Sequence, residues 1–548
     1  MARMTGGKAV VESLKQEGVE FVFGVPGVQI MHIFDAFYGE PEIRLLTVRH
    51  EQTAIYMADG YARVKGKPGV GLVVPGPGVQ NASGALGTAY ACSSPVLLVA
   101  GQVESYNLGQ DKGALHEIND QLDIIRPVTK WCQRVMTVSD IPMGIHEAMY
   151  QMNTGRPRPT EIEIPWDVLG TTGEVTLMPK EKYQRAVPQR EEVSRAADLL
   201  LSAKRPLIWA GGGAILADAS PELVNLTEAL GAPVATTPEG KGVISEDHPL
   251  SLGAAYFGFG AARWATPKAD VILAVGTRLT GQMRPGTALK VPQKLIHLDA
   301  DPVVIGKNYP AEVAMVADAK AGLRVLVEEI RRGKGSQGLK EPWPQPELME
   351  FREKHRRWLQ EKAPLQSEII MTLRKELGED AILVTGVTNI GYWCNLAYQT
   401  QRPRTFLTSS YFATLGYAFP TALGAKVAAP DRPVVCVVGD GGFMYACVEL
   451  ATAVRYGINL ITVIFTDNAF GSTKSDQQIN FQGRVLGTDL NNPDFAKLAE
   501  LFGAKGMKAD PERLGRVVRE ALEAKQPVVI EVPIPTLVPP FQIFSPPD

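Results

Sequence analysis

Short, wholly apolar runs recur along this chain. Each ends in a turn marked by glycine or proline, and a stretch with helical spacing follows. VEFVFGVPG, IRLLTVRH, VGLVVPGPG and PVLLVAGQ alternate with IMHIFDAFYG, EQTAIYMADGYARVKG and NASGALGTAYACSS through the first third of the sequence. A strand that reads as a continuous apolar run is buried on both faces, which is the situation of a parallel sheet covered by helices. Strand–helix alternation of this kind predicts a doubly wound parallel α/β sheet. Such sheets place their ligands beyond the carboxyl ends of the strands, where the Gly-Pro turns fall.

The pattern restarts twice. REEVSRAADLLLSAK predicts an amphipathic helix, PLIWAGGGA a strand entering a glycine turn, and ADVILAVGTRL and KLIHLDAD buried strands. Further on come AILVTGV, TFLTSS, PVVCVVGDGGF, NLITVIFTD and QPVVIEVPI. We therefore expect three α/β domains, at residues 1–166, 191–332 and 363–535. A chain of 548 residues has room for roughly three or four domains of about 150 residues. The polar, Pro-spotted stretches 168–190 and 331–347 are expected as linkers. The tail TLVPPFQIFSPPD is too rich in proline for regular structure and is expected to pack over a domain or cover a site.

Composition narrows the function classes. With 45% apolar and 21% charged residues, the chain is neither disordered nor fibrous. The 56 basic against 59 acidic residues build no basic field, so a nucleic-acid partner is not expected. No apolar run reaches the roughly 18 residues of a membrane helix, so no membrane partner is expected. The first residues show no signal-peptide core, which makes a cytoplasmic location the expectation. The five cysteines have no CxxC spacing and read as free thiols.

VVCVVGDGGFMYACVELATAVRYGINLITVIFTDNAFG holds the most specific pattern. It reads as one βαβ unit, with a strand ending at Val438, a helix over 444–455 and a second strand over 460–465. Both following loops then emerge at carboxyl ends of parallel strands, where Asp440 and Asp467 can converge. Two carboxylates and a backbone carbonyl suit a hard octahedral cation such as Mg²⁺ carrying a diphosphate. Gly439, Gly441 and Gly442 let backbone N–H groups approach phosphate oxygens at a helix start. A lone GDGG is ordinarily a tight turn, and the second acidic loop, 27 positions past Asp440, shifts the balance.

This spacing resembles the metal–diphosphate motif of thiamine-diphosphate (ThDP) enzymes. The family pattern carries two asparagines where Thr466-Asp467 stand here. The resemblance implies Asp440, Asp467 and the carbonyl of Ala469 as metal ligands, with Asn468 as the fallback for Asp467 and Phe470-Gly471 fixing the register. RHEQTAIYMADGYAR resembles the family's other signature, which makes Glu51 the carboxylate that contacts the aminopyrimidine ring. A Glu in the first turn of a helix otherwise just complements the dipole. In the family this carboxylate favours the imino tautomer, whose nitrogen takes the C2 proton of the thiazolium. SSYFATLGYAFPTALGA resembles the segment beneath the bent cofactor and places Leu415 there; VTGVTNIGYW resembles the diphosphate-side loop, with Gly386 and Asn389 as donors and Ile390 in place of a usual His. GVPG and PGPGVQNA match the family too, adding Pro26 and Asn81 as cofactor contacts. Glu51 and Asp440 fall on different domains, and in the family these face each other across two subunits. A homodimer or homotetramer with active sites at the interface is implied.

Within the family the chain is most similar to acetolactate synthase large subunits and benzaldehyde lyase. The implied activity is cleavage or formation of C–C bonds in 2-oxo acids or 2-hydroxy ketones. Gln29 follows GVPG, where benzaldehyde lyase has a histidine and acetolactate synthases a small residue. His116 stands where both relatives have a glutamine. We take Glu51, Gln29 and His116 as the catalytic candidates, His116 because imidazole titrates near neutrality; His32 is a weaker one. The segment GSTKSDQQINFQGR lacks the tryptophan that acetolactate synthases carry there and has Ser472 and Gln478 instead. An acyloin lyase, a cyclic-diketone C–C hydrolase and a non-catalytic nucleotide-binding homologue therefore stay open. The middle block resembles the FAD-carrying domain of acetolactate synthases. Its loop reads YFGFGAA where a histidine is usual, so FAD is left open but not favoured. A nicotinamide dehydrogenase ranks last, because the first strand ends in Gly24-Val25-Pro26-Gly27 rather than GxGxxG.

Overall fold

A computed structural model describes residues 2–280, 294–333 and 342–543. The last residues of the tail and 334–341 of the expected second linker lie outside the described residues. Three six-stranded sheets carry the architecture, and every neighbouring pair of strands in them is parallel. The first sheet runs Arg44–Thr47, Phe21–Gly24, Gly69–Val73, Val96–Gln102, Thr160–Pro165, Trp131–Arg134. The second runs Ser251–Ala254, Val234–Thr236, Pro206–Ala210, Val271–Val275, Lys294–Asp299, Val313–Val316. The third runs Phe406–Leu407, Ile382–Thr385, Val434–Gly439, Ile461–Thr466, Val528–Pro533, Lys505–Lys508. The expected doubly wound α/β class holds for all three.

Strand order fixes where ligands can bind. In each sheet the chain first builds to one side and then crosses to the other, so two neighbouring strands send their loops in opposite directions and leave a crevice. In the first sheet these are Phe21–Gly24 and Gly69–Val73; in the second, Pro206–Ala210 and Val271–Val275; in the third, Ile382–Thr385 and Val434–Gly439. The turns and helix starts at these points are 25–27 with 74–76, 211–213 with 276–279, and 386–388 with 439–442.

The first and third sheets share one core. Phe23, Val73 and Leu98 belong to the same buried cluster as Leu407, Phe419 and Phe443. Its centre is the crossing of helix Glu51–Lys65 with helix Ala418–Ala428. The two backbones touch there, because a Cβ on Gly60 would collide with the Thr421 carbonyl and one on Gly424 with the Met57 carbonyl. The start of the first helix is thereby fixed against the third sheet.

Two expectations need correction. The stretch 168–190 is not all linker: strand Thr172–Val175 pairs antiparallel with Ala2–Thr5, a long-range contact with no local signature. The helix expected over 444–455 is broken into Asp440–Met444, a 3₁₀ turn at Cys447–Glu449 and Leu450–Tyr456. The break lets Tyr445 pack against Gly416 and swings Glu449 toward the first domain.

Candidate active site

The N-terminal half of the site forms around the first crevice. His50 caps helix Glu51–Lys65, its Nδ1 accepting from the Gln52 N–H at 3.2 Å. Glu51 is thus set in the first helical turn, with its side chain 15% exposed. Its Oε2 accepts from the Asn81 amide at 3.0 Å. Pro26 is exposed on the facing turn. Gln29 is buried; its amide donates to the Leu115 carbonyl at 2.9 Å, and its Oε1 has no partner. The next residue, His116, has φ +68° and a buried Nδ1 that also lacks a partner. The turn below must be glycine, since a Cβ on Gly76 would strike the His116 carbonyl. Gly76 donates to Gln121 at 2.9 Å, and Gln121 in turn donates to Glu163 at 2.7 Å, which ties the loop to the sheet. The structure therefore brings Gln29 to the segment of His116, each with a buried polar atom that lacks a partner. His32 stacks on Trp166 instead and joins neither.

The C-terminal half centres on Asp440. Its Oδ1 accepts from Gly441 N–H at 2.7 Å, and its Oδ2 from Asn468 N–H at 2.8 Å. Asn492, which no sequence motif had marked, adds a third bond from its amide to Oδ2 at 2.8 Å. Burial pushes the Asp440 carboxyl up to about 6. Asp467 is also raised by burial, and its carboxylate lies against the start of helix Gly471–Asn480, where Thr536 bonds to it. Asn468, at φ +52°, sits on the Asp440 side of the loop, with its Oδ1 3.2 Å from the Asn492 amide. Ala469 is held by a short antiparallel bridge to Asp489, whose flanking bonds, Phe470 N–H to Thr488 and Leu490 N–H to Asn468, leave the Ala469 carbonyl unused. A Cβ on Gly441 would press on the Phe470 ring, so this glycine has a packing reason. Gly442 has none, since its only Cβ neighbour is Val438 at an ordinary 3.5 Å, and the space above it is free for a ligand.

Two expected donors are already spent. The Gly386 N–H extends the sheet by bonding to Val437 at 2.7 Å, and the Asn389 amide donates to the Leu537 carbonyl at 2.6 Å. Asn389 Oδ1 stays buried without a partner. The expected covering role of the tail is met by Thr536, Leu537, Val538 (which accepts from Trp393) and Gln542 (which donates to Ser472). Leu415 is only half-buried, next to Thr414, which meets Thr88 at 3.1 Å. It is open to support a ligand in a way that a core leucine is not.

The donor set fits a hard cation. Among the described residues no three His, Cys, Asp or Glu side chains converge, so a site here rests on the two aspartates and a backbone carbonyl. A buried carboxylate without a cationic partner is costly; a divalent ion would supply the missing charge and could hold a diphosphate beside it. Glu449, also missed in the sequence, joins the first and third domains of the chain: buried on the third, it accepts from the Arg49 N–H at 3.0 Å, two residues before Glu51. Beside it the Thr47 N–H donates to the Tyr456 hydroxyl at 2.8 Å.

A cavity of about 1520 Å³ opens at the crevice of the central sheet, lined in part by Gly212, Gly213, Phe257, Arg278, Asp299 and Phe541. Gly213 is accounted for by its close packing on Gly276, and Gly212 lies against Glu239. The volume admits a dinucleotide, and nothing in the wall singles out FAD.

Comparisons with known proteins identify all three domains. Residues 4–124 match the N-terminal TPP binding domain of thiamine pyrophosphate enzymes, 193–326 the central domain and 386–532 the C-terminal TPP binding domain. A probable acetolactate synthase large subunit of Methanocaldococcus jannaschii is 35% identical, covering 97% of this chain and 92% of its own. The acetolactate synthase large subunit of Haemophilus influenzae is 34% identical over 96% of this chain and 94% of its own. A probable 2-ketoarginine decarboxylase of Pseudomonas aeruginosa is 35% identical, again over 96% and 94%. The chain belongs to the thiamine pyrophosphate enzyme family and is an enzyme that uses thiamine diphosphate, as a carboligase or a decarboxylase.

Proposed function

We propose that this enzyme binds ThDP through a divalent cation, Mg²⁺ by preference, and breaks and makes C–C bonds in 2-oxo acids or 2-hydroxy ketones. The observation that carries the reading is the pairing of two carboxylates, each beyond the carboxyl end of its own sheet. Glu51 is steadied by Asn81, and Asp440 is buried and short of positive charge. Asp440, Asp467 and the Ala469 carbonyl would hold the cation, with Asn468 in reserve, and the open ground above Gly442 would take the diphosphate. Leu415 would support the bend. When bound, ThDP supplies a ring that accepts the electron pair left by C–C cleavage.

This chain's residues do the rest. Glu51 holds a proton at the pyrimidine N1′ and so sets its tautomer. Gln29 Oε1 and His116 Nδ1 are buried polar atoms without a protein partner. Oε1, an acceptor, takes a hydrogen bond from a substrate or product hydroxyl, and protonated His116 meets a substrate oxygen and moves a proton to the product oxygen. A second copy of the chain completes the site, with Glu51 of one protomer facing Asp440 of the other. Exposed Met444, Tyr445 and Val448 beside the Asp440 helix, and Val28 and Met31 beside Gln29, offer apolar surface for it.

The similarity to a probable 2-ketoarginine decarboxylase favours simple decarboxylation as a second reading. Polar Ser472 and Gln478, where acetolactate synthases have tryptophan, point the same way. The test is to give pyruvate to protein loaded with ThDP and Mg²⁺ and to identify the products. Acetolactate with CO₂ marks the carboligase, and acetaldehyde with CO₂ the decarboxylase. No turnover of pyruvate, of larger 2-oxo acids or of benzoin-type ketones would overturn the proposal. Absorbance of the purified protein decides on flavin.

A further inference from the structure

We infer that Asn492 is a positioning residue of the cation site, one that keeps Asp440 to a single ligating oxygen and so favours Mg²⁺ over Ca²⁺. The inference rests on the cofactor reading above. Asp440 Oδ2 accepts two hydrogen bonds of 2.8 Å, from Asn468 N–H and from the Asn492 amide. Oδ1 accepts from Gly441 N–H, and the Asp467 N–H also bonds to the carboxylate. A carboxylate oxygen offers about two lone-pair directions. Oδ2 is therefore filled, and Oδ1 is the oxygen left to face a cation. The orientation of the Asn492 amide is fixed by its neighbours: Asp440 Oδ2 and Asn468 Oδ1, 3.2 Å away, are both acceptors, so the NH₂ end must point between them.

The residue is also braced from behind. Segment 488–490 runs antiparallel to the loop 468–470, bonded at Phe470 N–H to Thr488 and Leu490 N–H to Asn468, both 2.8 Å, and Lys474 pairs with Asp489 at 2.7 Å. This ribbon delivers Asn492 to the one place where it touches both cation-binding loops. Mg²⁺ requires near-ideal octahedral geometry, whereas Ca²⁺ accepts bidentate carboxylates and higher coordination. A carboxylate barred from bidentate contact therefore discriminates between them. Partners that orient a ligand typically contribute ten- to a hundredfold in metal affinity.

The experiment titrates Mg²⁺, and separately Ca²⁺, into EDTA-stripped full-length protein with ThDP present, and reads bound ThDP by equilibrium dialysis. Asn492→Ala should raise the Mg²⁺ half-saturation by about ten- to a hundredfold. Ca²⁺ should move far less, so that the preference for Mg²⁺ shrinks. Lys474→Ala loosens the same ribbon without removing the amide, and should leave the Mg²⁺:Ca²⁺ ratio as in the wild type. Equal losses for both cations in Asn492→Ala, no change in either, or the same shift in ratio from Lys474→Ala would overturn the inference. A wild-type protein that binds ThDP with neither cation would instead refute the cofactor reading beneath it.

Discussion

Replacing Glu161 by methionine should stabilise the protein, and more so at higher pH. Glu161 lies on strand Thr160–Pro165, between Leu98 and Cys132 on the neighbouring strands, with no exposed surface. Both its carboxyl oxygens are buried without a hydrogen-bond partner. Glu163, two residues on, has Arg134 and Gln121; Glu161 has neither. Burial pushes the Glu161 carboxyl well above its ordinary 4.5, and the charge of Glu163 adds to the rise. The sign follows. The folded protein keeps a proton that the unfolded chain releases above pH 4.5 or so, so stability falls as pH rises past that point, until the folded carboxyl itself ionises. The slope while this holds is about 1.4 kcal/mol per pH unit. Methionine has similar length, fills an irregular gap and carries nothing to protonate. Removing the unpaired oxygens alone contributes about 1–3 kcal/mol. For a unit of this size that is worth about 2–4 °C per kcal/mol in the melting temperature. Thermal unfolding of wild type and Glu161→Met from pH 5 to pH 8 reads both effects. A variant that melts no higher than wild type, or that keeps the full pH slope, would refute the reasoning.

Gly424→Ala places a methyl group against the Met57 carbonyl where the two central helices cross. A helical Gly→Ala change ordinarily gains about 1 kcal/mol, but here overpacking of about 1–3 kcal/mol should outweigh the gain. The melting temperature should therefore fall, and a rise would show that the helices can part freely. Glu449→Gln keeps an acceptor for the Arg49 N–H but removes the charge, and a hydrogen bond to a charged group contributes about 1.5–3 kcal/mol. Domain docking ahead of Glu51 should loosen, with faster amide exchange at Arg49 and His50 by mass spectrometry; unchanged exchange would remove Glu449 from the account.

The sheets were legible because their strands are buried on both faces. VVCVVG has no polar side to confuse the reading, the only polar residues of ITVIFT are buried threonines on one face, and a glycine turn marks the end of the first. The glycine turn after Val434–Gly439 was legible for a similar reason: a Cβ on Gly441 would press on the Phe470 ring, so sequence and packing agree there. The broken helix after Asp440 was not legible. Apolar spacing runs through 444–455, and only the contacts of Tyr445 with Gly416 and of Glu449 with Arg49, far apart in sequence, break it. Asn492 was hidden for another reason. In NNPDF the local signal is the start of a helix, with Asp494 capping Lys497 at 3.0 Å, and nothing local tells which asparagine reaches back to Asp440. The partners of Asn389 and Gly386 were not legible, because a donor's identity is written in the sequence while its partner is not. One serves the tail and the other the sheet.

The central claim, that Glu51 works on a cofactor held from Asp440, is tested most directly by Glu51→Gln. Glutamine keeps the size of the side chain and a bond to Asn81 but cannot hold the proton. Bound ThDP and the rate of 2-oxo acid turnover should be measured on the same sample, with Mg²⁺ present. The account predicts binding near the wild-type level with turnover lowered by at least about a hundredfold, the scale of general acid–base catalysis. Turnover close to wild type, with the cofactor bound, would contradict it.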